Sequence, residues 1–316
     1  MLKVRKSSLV VIMIVSLFIL GGCGEVLEKF NDASENETKD IDNGVNGKNP
    51  EVLMPVQEYT GEEYTLRNGK ETDKIANENR EIIENAVKCF FDEEYNTEVI
   101  VHNIVGNVDG ATVFVESVGE PHFYTYAIIP INKQEEEILV DQVWSQEGQI
   151  ENAIMAGIYG MVMEKEFQHL TDLIEEVNQE YNLTGLNKEA IPVGADKFCN
   201  EYYFVAIRKT ENFKGLLNKY MENPDRTKEE WNSLMDWDEI QPDEIRIAID
   251  LYMTENGVEP NQEAFDYLIN LIDNDERIPK GLYGISLHDN YIDKTTATGN
   301  KDNSLKRANP NDIIKE

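Results

Sequence analysis

A short polar segment holds the side chains with the clearest capacity for chemistry. In ESVGEPHF, residues 116–123, two carboxylates and an imidazole lie close together. Such a set can bind a metal ion, or can transfer protons as an acid and a base. The same letters also describe a turn between strands, in which Gly and Pro shape the backbone and the polar side chains face water. Glu116, Glu120 and His122 are therefore weak binding candidates, and the turn is the favoured interpretation.

Other catalytic patterns are missing from the sequence. It contains no G-x-S-x-G, G-x-G-x-x-G, G-x-x-x-x-G-K, H-E-x-x-H or C-x-x-C motif. The remaining histidines, His102, His169 and His288, are scattered singly and show no zinc-ligand spacing. We predict no catalytic residue, no metal site and no cofactor, although an enzyme centred on Glu116, Glu120 and His122, either a hydrolase or a metal-dependent one, stays open as the alternative.

Two cysteines and two acidic clusters each have two interpretations. Cys89 lies on the apolar side of a predicted helix, and Cys199 lies on a predicted strand face, so two buried thiols are favoured over a disulfide between them. The clusters 236–239 and 273–276 could attract calcium. Neither matches the spacing of a calcium-binding loop, so solvated helix ends are favoured.

The N-terminus carries the strongest localisation signal. Basic residues precede an apolar run at 9–20, which is the pattern of a secretory signal peptide. Twelve helical residues span about 18 Å, less than the roughly 30 Å hydrocarbon core of a membrane. The run ends in LGGC, residues 20–23, which resembles a bacterial lipobox. The resemblance implies removal of residues 1–22 and attachment of a diacylglyceryl group to Cys23. Two acyl chains suffice for stable anchoring, so the membrane is the predicted partner.

The charge of the chain excludes one class of partner. There are 29 basic and 61 acidic residues in 316, a formal charge of −32. Binding to the phosphate backbone needs clustered Lys and Arg, so we predict no nucleic-acid partner. A protein or cell-wall partner is not identified by the sequence.

The polar segment after the predicted lipidation site is typical of a tether. Residues 31–50 have almost no large apolar side chain and are rich in Asn, Asp, Glu, Lys and Gly. Such a segment cannot bury enough apolar surface to offset its conformational entropy. We predict a disordered tether over residues 23–70, a globular domain over 71–285 and a disordered polar tail over 286–316.

Within the domain, hydrophobic periodicity predicts an α+β fold. A helix starts near Thr72, and period-two patterns then predict an antiparallel meander of four strands at 98–105, 111–118, 123–131 and 138–144. A long helix at 149–181 should pack on this sheet, because small residues at 153, 156, 157 and 160 allow close approach. A strand at 198–208 joins the sheet. The C-terminal region is predicted as helices over 213–221, 228–235, 242–255 and 261–273.

Three blocks of sequence resemble a known family. They are VESVGEPHF at 115–123, VWSQEGQ at 143–149 and CNEYYF at 199–204, after the lipobox and a VQEYTG start at Val56. The chain is similar to a family of uncharacterised lipoproteins from low-GC Gram-positive bacteria, over the leader and residues 54–285. The resemblance implies a lipid-anchored domain at the extracytoplasmic face of the cytoplasmic membrane. It implies no activity, and a role for no residue except Cys23. The leading interpretation is a binding or interaction module at that face.

Overall fold

The computed structural model describes residues 50–207, 211–236 and 239–316. The predicted signal peptide, Cys23 and the tether as far as residue 49 lie outside these ranges. Within the described residues the fold is α+β, as predicted, with eight α-helices and several antiparallel strand pairings.

The first half of the domain contains a four-stranded antiparallel sheet. Its order is β2 (Val99–Gly106), β3 (Gly110–Ser117), β4 (Tyr124–Asn132) and β5 (Glu137–Ile138). Strands β3 and β4 are buried almost throughout, because one face packs in the main core and the other face, with Phe114 and Tyr126, packs in a second apolar cluster. The predicted strand at 138–144 is largely wrong, because β5 ends at Ile138 and a 3₁₀ turn, Val140–Gln142, follows. Trp144 returns to the sheet through a single bridge to Ile128.

Two helix pairs accompany this sheet. The predicted first helix is divided at Asn79 into α1 (Lys70–Glu78) and α2 (Arg80–Tyr95). The predicted long helix is divided at Met163 into α3 (Gln149–Val162) and α4 (Glu164–Tyr181). Helix α3 contacts both β4 and the second sheet, and its apolar side chains are buried around its whole circumference.

A seven-stranded mixed sheet forms the second half of the domain. Its main path is β12 (Leu305–Arg307), β10 (Gly281–His288), β9 (Ile245–Met253), β8 (Tyr203–Ile207) and β7 (Phe198–Cys199). Two short strands complete it: β13 (Ile313–Lys315) pairs with β10, and β6 (Leu183–Thr184) pairs with β9. Strands β9 and β10 are parallel. The connection between them carries a helix, as parallel neighbours require a crossover.

Four further helices join these strands in the described residues. They are α5 (Ile191–Gly194), α6 (Glu211–Glu222), α7 (Lys228–Leu234) and the crossover helix α8 (Gln262–Asn274). The main hydrophobic core includes side chains from both sheets, such as Val113 of β3 and Ile249 of β9, both fully buried. The two sheets therefore belong to one domain.

The prediction of a helix over 242–255 is wrong, because this segment forms β9. Apolar residues at 245, 248, 249 and 252 fit a helical face, but a second set recurs at every other position. That set is fully buried in the sheet and consists of Ile245, Ile247, Ile249 and Leu251. β-Branched residues with period two favour a strand.

The prediction of a disordered tail over 286–316 is also wrong. Residues 286–288 complete β10, and β11 (Tyr291–Asp293), β12 and β13 follow. Ile292 and Ile313 are buried almost completely. The segment is polar in composition, yet its few apolar residues find partners far away in the sequence.

The predicted tether extends too far into the domain. Strand β1 (Leu53–Pro55) pairs with β11, and Val56 and Tyr59 are buried beside it. The folded domain therefore covers residues 50–316 rather than 71–285, apart from the two short gaps in the described ranges.

Candidate functional site

The first candidate site is a carboxylate held between two imidazoles. His102 Nε2 lies 2.6 Å from Glu116 Oε2, and His122 Nε2 lies 2.7 Å from Glu116 Oε1. All three side chains are partly exposed, between 23% and 30%. We call these three residues the Glu116 cluster.

Strand register explains how the Glu116 cluster assembles. Glu116 lies opposite Tyr124 in the β3–β4 pair, which brings His122 alongside it. In the β2–β3 pair, Val101 lies opposite Val115 and Asn103 lies opposite Phe114, so His102 is the extra residue of a β-bulge. A bulge redirects a side chain relative to the strand around it, and this one turns the imidazole towards Glu116.

Glu120 does not join the Glu116 cluster. Its carboxylate accepts a hydrogen bond of 3.0 Å from the backbone N–H of His122, and its side chain is exposed. Ser117 Oγ donates to the Pro121 carbonyl and accepts from the Phe123 N–H, which closes the turn. The structure thus unites Glu116 and His122 of the predicted set, gives Glu120 a turn role, and adds His102.

The electrostatics of the Glu116 cluster favour an ionised carboxylate. Burial acts to raise the pKa of Glu116, but hydrogen bonds from His122 and His102 outweigh it, and the pKa lies below its ordinary value. A neutral imidazole that donates its Nε2–H to Glu116 keeps Nδ1 as a proton acceptor. In that tautomer Glu116 orients the ring, and Nδ1 is the ring atom that can accept a proton.

The neighbouring cysteine is not activated as a nucleophile. Burial, followed by the charges of Asp196 and Glu116, raises the pKa of the Cys199 thiol, and Lys197 only partly opposes this shift. Within the described ranges, no group of three or more His, Cys, Asp or Glu could hold a metal ion. The two Nε2 atoms face different oxygens of Glu116 rather than one shared position. The chemistry that this geometry supports is proton transfer.

A second candidate site is a cleft of about 360 Å³ at one edge of the mixed sheet. Residues 257–259 follow the carboxyl end of β9, and Asp289 and Tyr291 follow the carboxyl end of β10. The remaining walls come from residues 300–303 and from Leu53. Crevices at the carboxyl ends of parallel strands are the usual ligand sites of sheets with crossover helices. We call this feature the Lys301 cleft.

An enclosed ion pair lies in the wall of the Lys301 cleft. Lys301 Nζ is 2.6 Å from Asp289 Oδ1 and also donates to the Tyr291 carbonyl. The side chain of Lys301 is only 9% exposed and that of Asp289 only 13%. Asn303 Nδ2 donates to Glu259 Oε2 at 2.8 Å and to Asp289 Oδ2 at 3.1 Å. The cleft is therefore pre-organised by charged hydrogen bonds.

A buried histidine fixes one wall of this cleft. His288, at the end of β10, places Nδ1 2.8 Å from Ser304 Oγ and Nε2 3.3 Å from Asp250 Oδ1. Burial acts to raise the pKa of Asp250, but the hydrogen bond and charge of His288, together with Ser286 and Lys306, outweigh it, and the pKa is lowered. Ser304 Oγ also accepts the backbone N–H of Lys301. These contacts tie the wall segment to both parallel strands.

Neither the second imidazole nor the cleft is predictable from local spacing in the sequence. No local spacing relates His102 to Glu116, because a strand turn and a bulge separate them. The Lys301 cleft draws its residues from four segments, of which two lie in the predicted disordered tail and one, at Leu53, lies in the predicted tether. The positions of Asp289 and Tyr291 directly after an apolar run were the one available signal.

The other predicted features have structural roles where they are described. Cys89 is exposed on α2, which corrects its predicted burial, Cys199 is partly buried, and both are free thiols. In the 273–276 cluster, Asp275 pairs with Arg277 and with His169 Nε2 at 2.9 Å. Arg277 is the main cause that lowers the pKa of Asp275. The 236–239 cluster lies partly outside the described residues.

The architecture and the two sites define an α+β protein with a polar cleft at parallel strand ends and a separate carboxylate–histidine cluster. The chain belongs to the DUF1672 family of proteins of unknown function, whose model matches residues 46–315. Membership of an uncharacterised family is therefore confirmed. The lipoprotein character stays a prediction.

A solved structure has a similar fold. It is a crystal structure of a DUF1672 family protein from Staphylococcus aureus, with a TM-score of 0.67 and 17% sequence identity. The match covers 84% of this chain and 98% of the other chain. At this identity the likeness concerns the fold alone. No curated protein matches the chain. Among the described residues, no helix has the length and apolarity to cross a membrane.

Proposed function

We propose that this protein is a lipid-anchored binding module at the extracytoplasmic face of the cytoplasmic membrane, and that it binds a small polar ligand in the Lys301 cleft. The observation that carries the binding role is the position of the cleft at the carboxyl ends of β9 and β10. There, the segment that begins the β9–α8–β10 crossover and the segment that follows β10 form the walls, and charged side chains fix the shape of the crevice.

The anchoring part of the proposal rests on the sequence. The LGGC segment at residues 20–23 directly follows an apolar run of signal-peptide length. A lipid on Cys23 would hold the domain at the membrane surface through residues 24–49. Fractionation and mass spectrometry of the Cys23→Ala variant test this part. We expect an uncleaved or released chain without acyl groups, and unchanged membrane lipidation would refute the anchor.

The volume and polarity of the Lys301 cleft support a small ligand. Pockets for small molecules begin at about 300 Å³, and the cleft has about 360 Å³. Leu53, Val258 and Tyr291 offer apolar surface, whereas Lys301, Asp289 and Asn303 offer oriented polar groups. A few fixed polar groups within apolar walls determine the orientation of a bound molecule.

Calorimetry on the full lipidated chain in nanodiscs tests the binding role. Small cations, anions and neutral sugars are titrated separately, and the Asn303→Ala variant is the comparison. We expect saturable heat with at least one class and weaker binding in the variant, because Asn303 bridges Glu259 and Asp289 across the cleft. Failure of every class would refute a binding role for this cleft.

One observation favours a second function, an enzyme that transfers protons at the Glu116 cluster. Glu116 has a lowered pKa, and its carboxylate contacts Nε2 of both His102 and His122. An ionised carboxylate in this position can orient a histidine that acts as a base. Turnover of a wall, lipid or peptide substrate that is lost in His122→Ala, yet kept in Asn303→Ala, would support this enzyme. Catalysis that survives His122→Ala would exclude it.

A further inference from the structure

We infer that Asp250, His288 and Ser304 form a nucleophilic array that hydrolyses carboxylic esters, an activity beyond the proposed binding function. Ser304 Oγ lies 2.8 Å from His288 Nδ1, and His288 Nε2 lies 3.3 Å from Asp250 Oδ1. A serine becomes a nucleophile when an imidazole within hydrogen-bond reach takes its proton and a carboxylate orients that imidazole from the other side. We call these three residues the Ser304 array.

Three adjacent strands position the Ser304 array. Asp250 lies on β9, and His288 ends β10, the parallel partner of β9. Ser304 directly precedes β12, whose Leu305 pairs with Leu287 of β10, so Ser304 comes beside His288. Side chains that a sheet supports are held more precisely than side chains on free loops. The sheet therefore fixes the relative positions of the three groups.

The direction of the two hydrogen bonds prepares the serine for attack. Although burial acts to raise the pKa of Asp250, His288 and other polar neighbours hold it below the ordinary value, so the carboxylate is ionised and only accepts. His288 Nε2 therefore donates, which leaves Nδ1 to accept the hydroxyl proton of Ser304. The ring nitrogens are exchanged relative to the usual serine–histidine–aspartate array. A neutral imidazole has one donor and one acceptor in either orientation, so the chemistry is the same.

The exposure of the two reacting groups suits this role. The side chain of His288 is only 3% exposed, whereas Ser304 is partly exposed. The imidazole is thus held in one orientation, while a substrate can reach the hydroxyl. Ser304 directly follows residues 300–303 of the Lys301 cleft lining, so a substrate in the cleft lies beside the nucleophile. Only this placement of the substrate rests on the proposed binding function.

The reaction needs an ester and water alone. Ser304 Oγ adds to the ester carbonyl carbon as its proton passes to His288 Nδ1, and Asp250 stabilises the imidazolium. The adduct then expels the alkoxide, which takes the proton from Nδ1 and leaves as an alcohol. Water adds to the acyl-serine and gives a proton to Nδ1. Ser304 Oγ leaves with that proton, and the carboxylic acid is released.

Covalent labelling of the full lipidated chain in phosphatidylcholine nanodiscs tests the inference. A fluorophosphonate bonds to an activated serine Oγ with loss of fluoride, and mass spectrometry of the peptides identifies the labelled residue. We expect label on Ser304 and hydrolysis of p-nitrophenyl butyrate that the label abolishes. A folded chain without label on Ser304 would overturn the inference, as would hydrolysis that Ser304→Ala leaves unchanged.

Matched variants test the nucleophile and the base. Ser304→Ala should remove both label and hydrolysis, whereas Ser233→Ala, at an exposed serine of α7, should remove neither. His288→Gln should slow labelling by at least about a hundredfold, a typical contribution of a general base. His169→Gln is its control, because it removes an imidazole from another histidine–aspartate pair, at 2.9 Å from Asp275. Equal labelling rates in the two histidine variants would contradict the role of His288.

Asp250→Asn tests the positioning residue, and it keeps the inference testable if His288→Gln does not fold. The side chain of Asp250 is 44% exposed, so the sheet can accommodate the amide. The variant loses the charge that stabilises the imidazolium. We expect kcat for p-nitrophenyl butyrate to fall at least about tenfold with KM unchanged, because the charge acts in the transition state. An unchanged kcat would contradict the array.

The results also separate this inference from the proposed function. Saturable binding in the Lys301 cleft without label on Ser304 would refute the esterase activity and leave the binding function. Label on Ser304 without saturable heat in the calorimetry would refute the cleft as a ligand site and leave the array. Hydrolysis that is lost in His122→Ala and kept in Ser304→Ala would assign the ester chemistry to the Glu116 cluster and contradict the inference.

Discussion

The imidazole of His102 lies 2.6 Å from the carboxylate of Glu116, on the neighbouring antiparallel strand. The contact depends on the bulge that interrupts the register between Val101 and Asn103. His122 reaches the other oxygen of the same carboxylate from the far side of the β3–β4 turn. Glu116 thus joins its own strand, β3, to β2 and to the β3–β4 turn through two charged hydrogen bonds, which are stronger than neutral ones.

This sharing predicts energetic coupling between the two histidines. We expect His102→Ala and His122→Ala each to lower the free energy of unfolding by about 1–2 kcal/mol, and the double variant to depart from additivity by about 0.5 kcal/mol or more. Chemical denaturation of the four proteins in the cycle measures this coupling. Strict additivity would show that Glu116 does not link the two rings.

The pH dependence of stability follows from the lowered pKa of Glu116. Hydrogen bonds from His122 and His102 hold it below the ordinary value of 4.5 despite burial. The unfolded chain therefore takes up a proton first as the pH falls, and the contribution of Glu116 is complete above about pH 4.5 and disappears as the pH passes through the folded pKa. The stability difference between the native chain and Glu116→Gln should shrink on acidification. A difference that grows below about pH 4.5 would contradict the sign of the shift.

Gly157 on α3 lets the helix approach the backbone of His122. A Cβ at Gly157 would lie 2.8 Å from the His122 carbonyl oxygen, closer than packing allows. Gly157→Ala should therefore cost about 1–3 kcal/mol of unfolding free energy, measured by denaturant titration. Gly215→Ala on α6 is the control, since a Cβ there meets nothing within 4 Å. Helix propensity should make that variant more stable by up to about 1 kcal/mol. Equal effects at both positions would exclude close packing at Gly157.

The C-terminal strands belong to the core, and two adjacent residues test this. Ile313 is 1% exposed and Ile314 is 62% exposed. Ile313→Ala should lower the free energy of unfolding by about 2–5 kcal/mol, because it leaves a cavity. Ile314→Ala should change it by less than about 0.5 kcal/mol. A small effect at both positions in thermal and chemical unfolding would contradict a core role for β13 and support the prediction of a disordered tail.

The sequence predicted elements whose partners are close along the chain. The β2–β3–β4 meander follows from alternating residues such as Val113 and Val115, with turns of a few residues between strands. The predicted helices over 228–235 and 261–273 are confirmed as α7 and α8, and the structure gives α7 a Thr227 capping box and α8 an Asn261 N-cap.

Elements whose partners lie far away in the sequence could not be predicted from local patterns. Leu53 pairs with Asp293, and Tyr283 pairs with Ile313, so neither end of the domain shows its order locally. In β9 the isoleucines satisfy a helical and a strand period at once, and only burial on the sheet decides between them. His102 was missed because a bulge changes which side a residue faces, and no sequence pattern reports it.

Hydrogen exchange of the full lipidated chain, with and without the small cation, anion or neutral sugar that gives saturable heat in the calorimetry, locates the bound ligand. We expect the backbone amides of residues 257–259 and 300–303 to become protected when the ligand binds, because these segments form the walls of the Lys301 cleft. Amides around Glu116 should be unaffected. Protection at the Glu116 cluster, or protection nowhere in the domain, would contradict the assignment of the ligand to this cleft.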